Sequence, residues 1–320
     1  MPGFTTHYLF GINTYKSLKN DFLKKIIFDH HAAFSLGLQG PDIFFYYLPS
    51  YAIHENNIGS VAHTEDTGKF LSYLIQSKNL FPNKKEAEIA EAYILGFIGH
   101  YLLDRHCHPY VYYRSHFQGK TPEYYGCHMN LEVDIDTELL NFYKNKLPSE
   151  FRQESTIMMT RLEVRTIATI LYYVYSMTYP DLKITYTGMR LAIRSIQAGT
   201  KFLYDPHGKK KVLTRKLETL TIGYPLLSPM MASDYLHFYH DPLNVLHQEW
   251  HNPWNSQLRS TASFIDLMEA AQQEYQILLP RLHRLYTSRR HSEATKLRLQ
   301  NILKDLGSCS YHTGLDTDES

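Results

Sequence analysis

Residues 84–108 read KKEAEIAEAYILGFIGHYLLDRHCH. Ala, Ile, Leu and Phe recur there at intervals of three and four, the period of a helix with one face in the core. Asn83, after Pro82, is the N-cap, because its side chain can satisfy an open N–H at the helix start. Pro109 predicts the end of the helix, since proline lacks the N–H of the helical ladder and biases the preceding residue away from helical geometry. His100 and Asp104 interrupt the apolar face four residues apart. They share one side of the helix and can close on a single ion. Burying them unpaired would cost several kcal/mol.

The same logic recurs at residues 128–147, HMNLEVDIDTELLNFYKNKL, a second helix predicted to end before Pro148. Here His128, Glu132 and Asp136 follow one another at intervals of four. Further helices are predicted near Asn20–Leu36, Thr64–Gln76, Thr156–Met177, Gly188–Tyr204, Ser256–Leu279 and Ser292–Leu306, and no alternating strand pair stands out. DPHGKKK at Asp205–Lys211 reads as a solvated turn rather than a domain linker or phosphate clamp. The tail after Leu306 ends GLDTDES, is polar and acidic, and is expected to fray. Together these readings predict an all-α protein: a single-domain multi-helix bundle over residues 1–306 and a polar C-terminal tail over 307–320.

Composition excludes several classes. Hydrophobic residues make up 43% and charged residues 20% of the chain, as in globular proteins. Lys plus Arg is 33 against 32 for Asp plus Glu, so the net charge of +1 gives no overall attraction to nucleic acid or to an anionic membrane. Phosphate recognition must therefore be local. Cys107, Cys127 and Cys309 form no disulfide framework and suit a reducing compartment. The start of the chain, MPGFTTHYLFG, has no basic region followed by an apolar core. The longest apolar stretch, TIATILYYVYSMTY at 166–179, is broken by Thr, Ser and Tyr and falls short of a transmembrane segment. A cytoplasmic location is expected, with export without a leader as the alternative.

Histidines concentrate early: ten of the 18, His54 among them, lie between His7 and His128. His108 follows Asp104 by four residues, with His106 as the reserve ligand. One His-x3-Asp pair is commonly a hydrogen-bonded surface pair. The run His-x3-Asp-x3-His followed by His-x3-Glu is more specific, because two such faces on antiparallel helices can build a metal site between them. Imidazoles and carboxylates without thiolates favour zinc.

The ordered motifs THYLFG, HHAAFSLGLQGPDIFFY, VAHTEDTGKFL, GFIGHYLLDRHCHPY and HMNLE resemble the zinc-dependent phospholipase C family. The first four also resemble the catalytic domain of glycosylphosphatidylinositol-specific phospholipase D, and the P1/S1 nucleases share the superfamily fold. The resemblance covers about the first 140 residues and implies a mostly helical fold with two to three zinc ions. It implies that Asp42, His63, His100 and Asp104 surround one zinc, that His108, His128 and Glu132 hold a second, and that His7 helps hold a third with Asp104 bridging. Asp42 is also implied as the general base. Family members complete the third site with an N-terminal Trp. The start of this chain offers none, so that site is expected to hold its ion most weakly.

The resemblance implies phosphodiester hydrolysis by zinc-activated water, with a phospholipid as the expected substrate. The alternatives are a P1/S1-like nuclease or nucleotidase, the only reading with nucleic acid as partner, and a non-catalytic metal-stabilised binding protein. FFYYLPSY at 44–51 suits a lipid rim, a base-stacking pocket or a core helix end. HDPLNVLHQEWHNPWN at 240–255, with His247, Trp250, His251 and Trp254, reads as a Pro-bounded connector with aromatic packing, or else as a second pocket wall.

Overall fold

The computed structural model describes residues 3–317 apart from 53–56, 118, 120, 236 and 289–291, so His54 lies outside the described residues. Its axis is the helix Lys84–Arg114, which Asn83 caps by accepting from the N–H groups of Lys85 and Glu86. Nearly every side chain from Ile89 to Asp104 is buried. This helix is apolar all round because others enclose it: His31–Gly37, Phe264–Thr287, Arg161–Thr178 and Phe4–Ser17 all pack on it. Among the described residues the fold is all-α apart from one two-stranded hairpin.

One crossing is set by glycine. A Cβ on Gly37 would lie 2.2 Å from the Tyr93 carbonyl oxygen, and one on Gly96 would lie 2.2 Å from that of Phe34. The two backbones thus touch where no side chain could fit. The chain then turns at Gly40, with φ +49°, where a Cβ would meet the His100 ring at 2.3 Å. The 3-10 helix Gly40–Tyr46, which carries Asp42, is thereby laid directly over His100.

Several expectations are corrected. Pro109 does not end the central helix, which continues to Arg114 with the proline inside. Tyr110 and Val111 are fully buried, and the Tyr110 hydroxyl donates to the Pro242 carbonyl at 2.7 Å, so core packing outweighs the missing N–H. Asn20–Leu36 is two helices, Asp21–Asp29 and His31–Gly37, broken at His30 (φ −124°, ψ 38°). Thr64 closes the helix Ile58–Thr64, and the next, Thr67–Gln76, starts after Asp66 in the left-handed region. The predicted helix over Ser256–Leu279 begins only at Phe264, behind a Ser263–Asp266 capping box. Ahead of it, Trp250–Asn252 and Asn255–Ser260 pair antiparallel, a hairpin whose strands are too short for alternation to register in the sequence. Lys209, placed in a turn by the sequence, opens the helix Lys209–Thr221.

The tail is the largest correction. Rather than fraying, residues 308–317 fold back onto the central helix. Tyr311 is fully buried, the Cys309 N–H donates to the Tyr101 hydroxyl, and Asn252 of the hairpin donates to the Thr313 carbonyl. Buried aromatic area and main-chain hydrogen bonds hold a segment whose composition reads as solvated.

Candidate metal centre

Five elements each deliver part of the site. His7 sits in the first helix, Phe4–Ser17, whose leading N–H groups have no side-chain cap of their own. Asp136 of the helix Pro122–Lys144 supplies one instead, accepting from the N–H groups of Thr5 (3.0 Å) and Thr6 (2.7 Å) and from the Thr6 hydroxyl (2.7 Å). A carboxylate at a helix N-terminus is well placed both for hydrogen bonding and for the helix dipole. It fixes the turn that carries His7. Asp42 comes from the 3-10 helix, His63 from the last turn of Ile58–Thr64, His100, Asp104 and His108 from the central helix, and His128 and Glu132 from Pro122–Lys144. All eight side chains are buried.

They meet in three groups: His63 with His100 and Asp104; His7 with Asp42 and His100; His108 with His128 and Glu132. The separations around His63 and His100 are informative. Nε2 of His63 lies 3.2 Å from Oδ1 of Asp42 and 3.5 Å from Oδ2 of Asp104, while Nε2 of His100 lies 3.1 Å from Oδ2 of Asp104 and 3.8 Å from Oδ1 of Asp42. A tetrahedral ion with bonds of about 2.0–2.1 Å sets its ligand atoms roughly 3.3–3.4 Å apart. The four N···O separations among these four atoms, 3.1–3.8 Å, lie around that value. None of them has a hydrogen-bond partner among the described residues, nor do Oδ1 of Asp104, Nε2 of His108 or either ring nitrogen of His7. Buried polar atoms are rarely left so, and a cation facing them resolves the cost.

The outer nitrogens are held. Nδ1 of His63 donates to the Gly59 carbonyl (2.6 Å), that of His100 to the Leu38 carbonyl (3.1 Å), and that of His108 to the Tyr311 carbonyl (2.6 Å). A carbonyl can only accept, so in the neutral ring the proton sits on Nδ1 and Nε2 keeps its lone pair for a metal. His128 meets the Tyr124 hydroxyl at Nδ1 (2.7 Å) and Oε1 of Glu132 at Nε2 (2.9 Å).

Charge balance also calls for a cation. Burial, followed by the negative charges of Asp42, Asp104 and Asp136, pushes the Glu132 carboxyl well above its usual range. Burial opposes ionisation of Asp104 too, but His100 and His108 outweigh it and hold that carboxyl low. Burial likewise lowers the imidazoles of His108 and His128. His63 goes the other way. Burial opposes its protonation, yet Asp104 and Asp42 prevail and raise it to about 9.

Of the two histidines weighed for the central helix, His108 joins the cluster. His106 turns away, half exposed, to Glu274 (3.2 Å), which also pairs with Arg105. The sequence reading overlooked Tyr311 and His312. The His312 ring stacks on His63 (centroids 5.2 Å apart, 24° between planes) and lies 5.6 Å from His108. Tyr311 ties both ligands down, its N–H donating to the His63 carbonyl (3.0 Å) while its own carbonyl accepts from His108. The available signal was a lone Tyr-His pair in a polar tail, which has no periodicity to mark it.

The centre opens into a cavity of about 450 Å³. Asp42, His128, Glu132 and His312 face it, as do the aromatic side chains of Phe45, Tyr46, Tyr112, Tyr124 and Tyr125. FFYYLPSY therefore contributes cavity wall through Phe45, Tyr46 and Tyr51, while Phe44 enters the core. The 250–260 hairpin stands one layer out: Trp250 packs on Tyr110 and Trp254 on Tyr112.

Residues 6–179 match the family described as zinc-dependent phospholipase C. The chain belongs to that family. No curated protein and no solved structure matches it. The matched span of this zinc-dependent phospholipase C family member contains all eight clustered residues and excludes Tyr311 and His312. The family is one of zinc-dependent hydrolases, and the buried His, Asp and Glu groups fit the metal its name implies. No described helix is long and apolar enough to cross a membrane.

Proposed function

We propose that this chain is a zinc-dependent phosphodiesterase that cleaves the headgroup phosphodiester of a phospholipid. The observation that supports it best is the set of buried imidazole and carboxylate atoms of His63, His100, Asp104 and Asp42, 3.1–3.8 Å apart and without hydrogen-bond partners among the described residues, reached from the cavity at Asp42. Two to three zinc ions are the intended load, held by His7, Asp42, His63, His100, Asp104, His108, His128 and Glu132. Zinc in such a site lowers the pKa of a bound water and supplies positive charge to the phosphate oxygens. Asp42 belongs to the His7 group, lies 3.2 Å from Nε2 of His63 and faces the cavity, so it is assigned to accept the proton of the attacking water. The carbonyls of Gly59, Leu38 and Tyr311 keep His63, His100 and His108 in one tautomer, and the aromatic walls exclude bulk water.

A nuclease would use the same metals, and tyrosines can stack bases as well as line a lipid site. What favours lipid is charge. Among the described residues lining the cavity there is no Lys or Arg, whereas Asp42, Glu132 and Asp136 are present. A tract of nucleic-acid phosphates would find little attraction there beyond the metals themselves. The deciding experiment compares short-chain phosphatidylcholine with single-stranded DNA and RNA, before chelation and after zinc is restored. Zinc-restored release of diacylglycerol is the expected result. Nucleotide release without lipid cleavage would favour the nuclease, and no turnover of either would favour a metal-stabilised binding protein.

A further inference from the structure

The helix Lys209–Thr221 is built inside out. Its protein-facing side carries Lys211 and Glu218, both buried. The Lys211 ammonium donates to the Met231 carbonyl (3.0 Å) and sits over the Phe238 ring. Glu218 accepts from the N–H groups of Leu226, Leu227 and Ser228 and from the Ser228 hydroxyl. The outward side carries Leu213, Leu217 and Leu220, which are 59%, 54% and 82% exposed. At spacings of four and three they form one stripe. On the helical wheel the exposed Lys209 and Lys216 flank it on one side, whereas Lys210 on the other turns its ammonium back to the Phe202 and Tyr204 carbonyls.

The apolar surface does not stop with the helix. Seven of the sixteen residues from Val212 to Leu227 are exposed large apolar side chains. The stretch after the helix then reaches the cavity, which Tyr224, Leu226 and Met230 help to line. Tyr51 lines the same cavity, and Leu48, three residues before it, is 76% exposed. A leucine stripe kept out of the core, continuous with the rim of a cavity, marks an interaction surface. Charge selects the partner. Of the helix's five basic residues Lys209, Arg215 and Lys216 are exposed, while its one acidic residue, Glu218, is occupied inside, although the whole chain is nearly neutral. Leucines in the plane of an interface with lysines reaching up beside them is the arrangement that lies on anionic lipid.

We propose that this face docks the protein on an anionic phospholipid bilayer, with Leu213, Leu217 and Leu220 in the acyl boundary and the cavity rim at Tyr224 and Leu226 turned to the lipid. Docking stands on the surface alone. Delivery of substrate to the cavity rests on the phospholipid reading above.

The test is co-sedimentation of the full chain with phosphatidylcholine vesicles, with and without phosphatidylserine, at low and high salt. Wild type should bind the phosphatidylserine vesicles, and salt should weaken it. Leu217→Glu with Leu220→Glu should weaken binding by about tenfold or more. Melting temperature and hydrolysis of monomeric short-chain phosphatidylcholine should not change, because both positions are exposed and outside the cavity. Equal vesicle binding by the variant would overturn the proposal. So would a wild-type dimer in solution that the variant abolishes, which would make the face a contact between copies. Vesicle binding without short-chain hydrolysis would sink the phospholipid reading and keep the docking surface, whereas hydrolysis without vesicle binding would do the reverse.

Discussion

Nε2 of His7 lies 3.1 Å from Oδ1 of Asp104, while the other oxygen of that carboxylate faces His100 at 3.1 Å and His63 at 3.5 Å. A carboxylate with a different imidazole at each oxygen has the geometry of a bridge between two cations. Asp104→Asn should therefore lower metal content by more than one equivalent, because an amide offers one ligand oxygen and an N–H₂ that repels the second ion. His7→Ala should remove no more than one equivalent. The other members of its group, Asp42 and His100, also face the His63 cluster, so among the described residues His7 is its only exclusive ligand. Elemental analysis of the two purified variants checks both claims. An Asp104→Asn protein with its full metal load would end the bridging role.

The raised imidazole of His63 gives metal loading a pH dependence. In the metal-free protein His63 titrates at about 9, against about 6.5 in an unfolded chain. Between those values the folded state binds more protons than the unfolded state. The contribution of His63 to the stability of chelated protein is therefore fully present below about 6.5 and is lost as pH rises towards 9. A metal must displace the same proton, so apparent affinity should rise with pH up to about 9 and then level off. Calorimetry in buffers of different ionisation enthalpy should detect proton release at pH 7.5. Uptake of zinc with no proton released would mean that His63 is not a ligand.

Asp42→Asn separates holding a metal from moving a proton. Asn is close in shape and keeps a ligand oxygen, but it cannot serve as a base. The rate should fall by about 10²–10⁴-fold while zinc content falls only in part. Wild-type kcat on short-chain phosphatidylcholine would remove Asp42 from the chemistry.

The C-terminal segment should tighten when metal binds. The Tyr311 N–H donates to the His63 carbonyl and its own carbonyl accepts from His108, so two ligands fixed by an ion hold the segment from both sides. Hydrogen exchange at residues 308–317 should be slower with zinc than after chelation, by more than any change over the exposed part of Lys209–Thr221. Coupling is reciprocal, so loosening the segment should lower zinc affinity. Equal exchange rates in the two states would make the segment a passive cover.

The sequence by itself determined the helical character and the local geometry of the ligands. Helix periodicity puts His100 beside Asp104 and His128 beside Glu132 wherever those helices lie, and the ordered motifs added His7, Asp42 and His63 to the candidates. All eight stand together in the folded chain. Only the tertiary structure decided what lies far apart in sequence or turns on competition between packing and local preference. Pro109 signals a stop, yet the helix runs on because Tyr110 and Val111 are buried beyond it. The residues from Gly307 onward look solvated, yet Tyr311 supplies the carbonyl that orients His108. Periodicity reports which side chains share a face. Which distant carbonyl meets a ring nitrogen depends on where the chain returns, and the burial that drives that return belongs to the whole core rather than to any one segment.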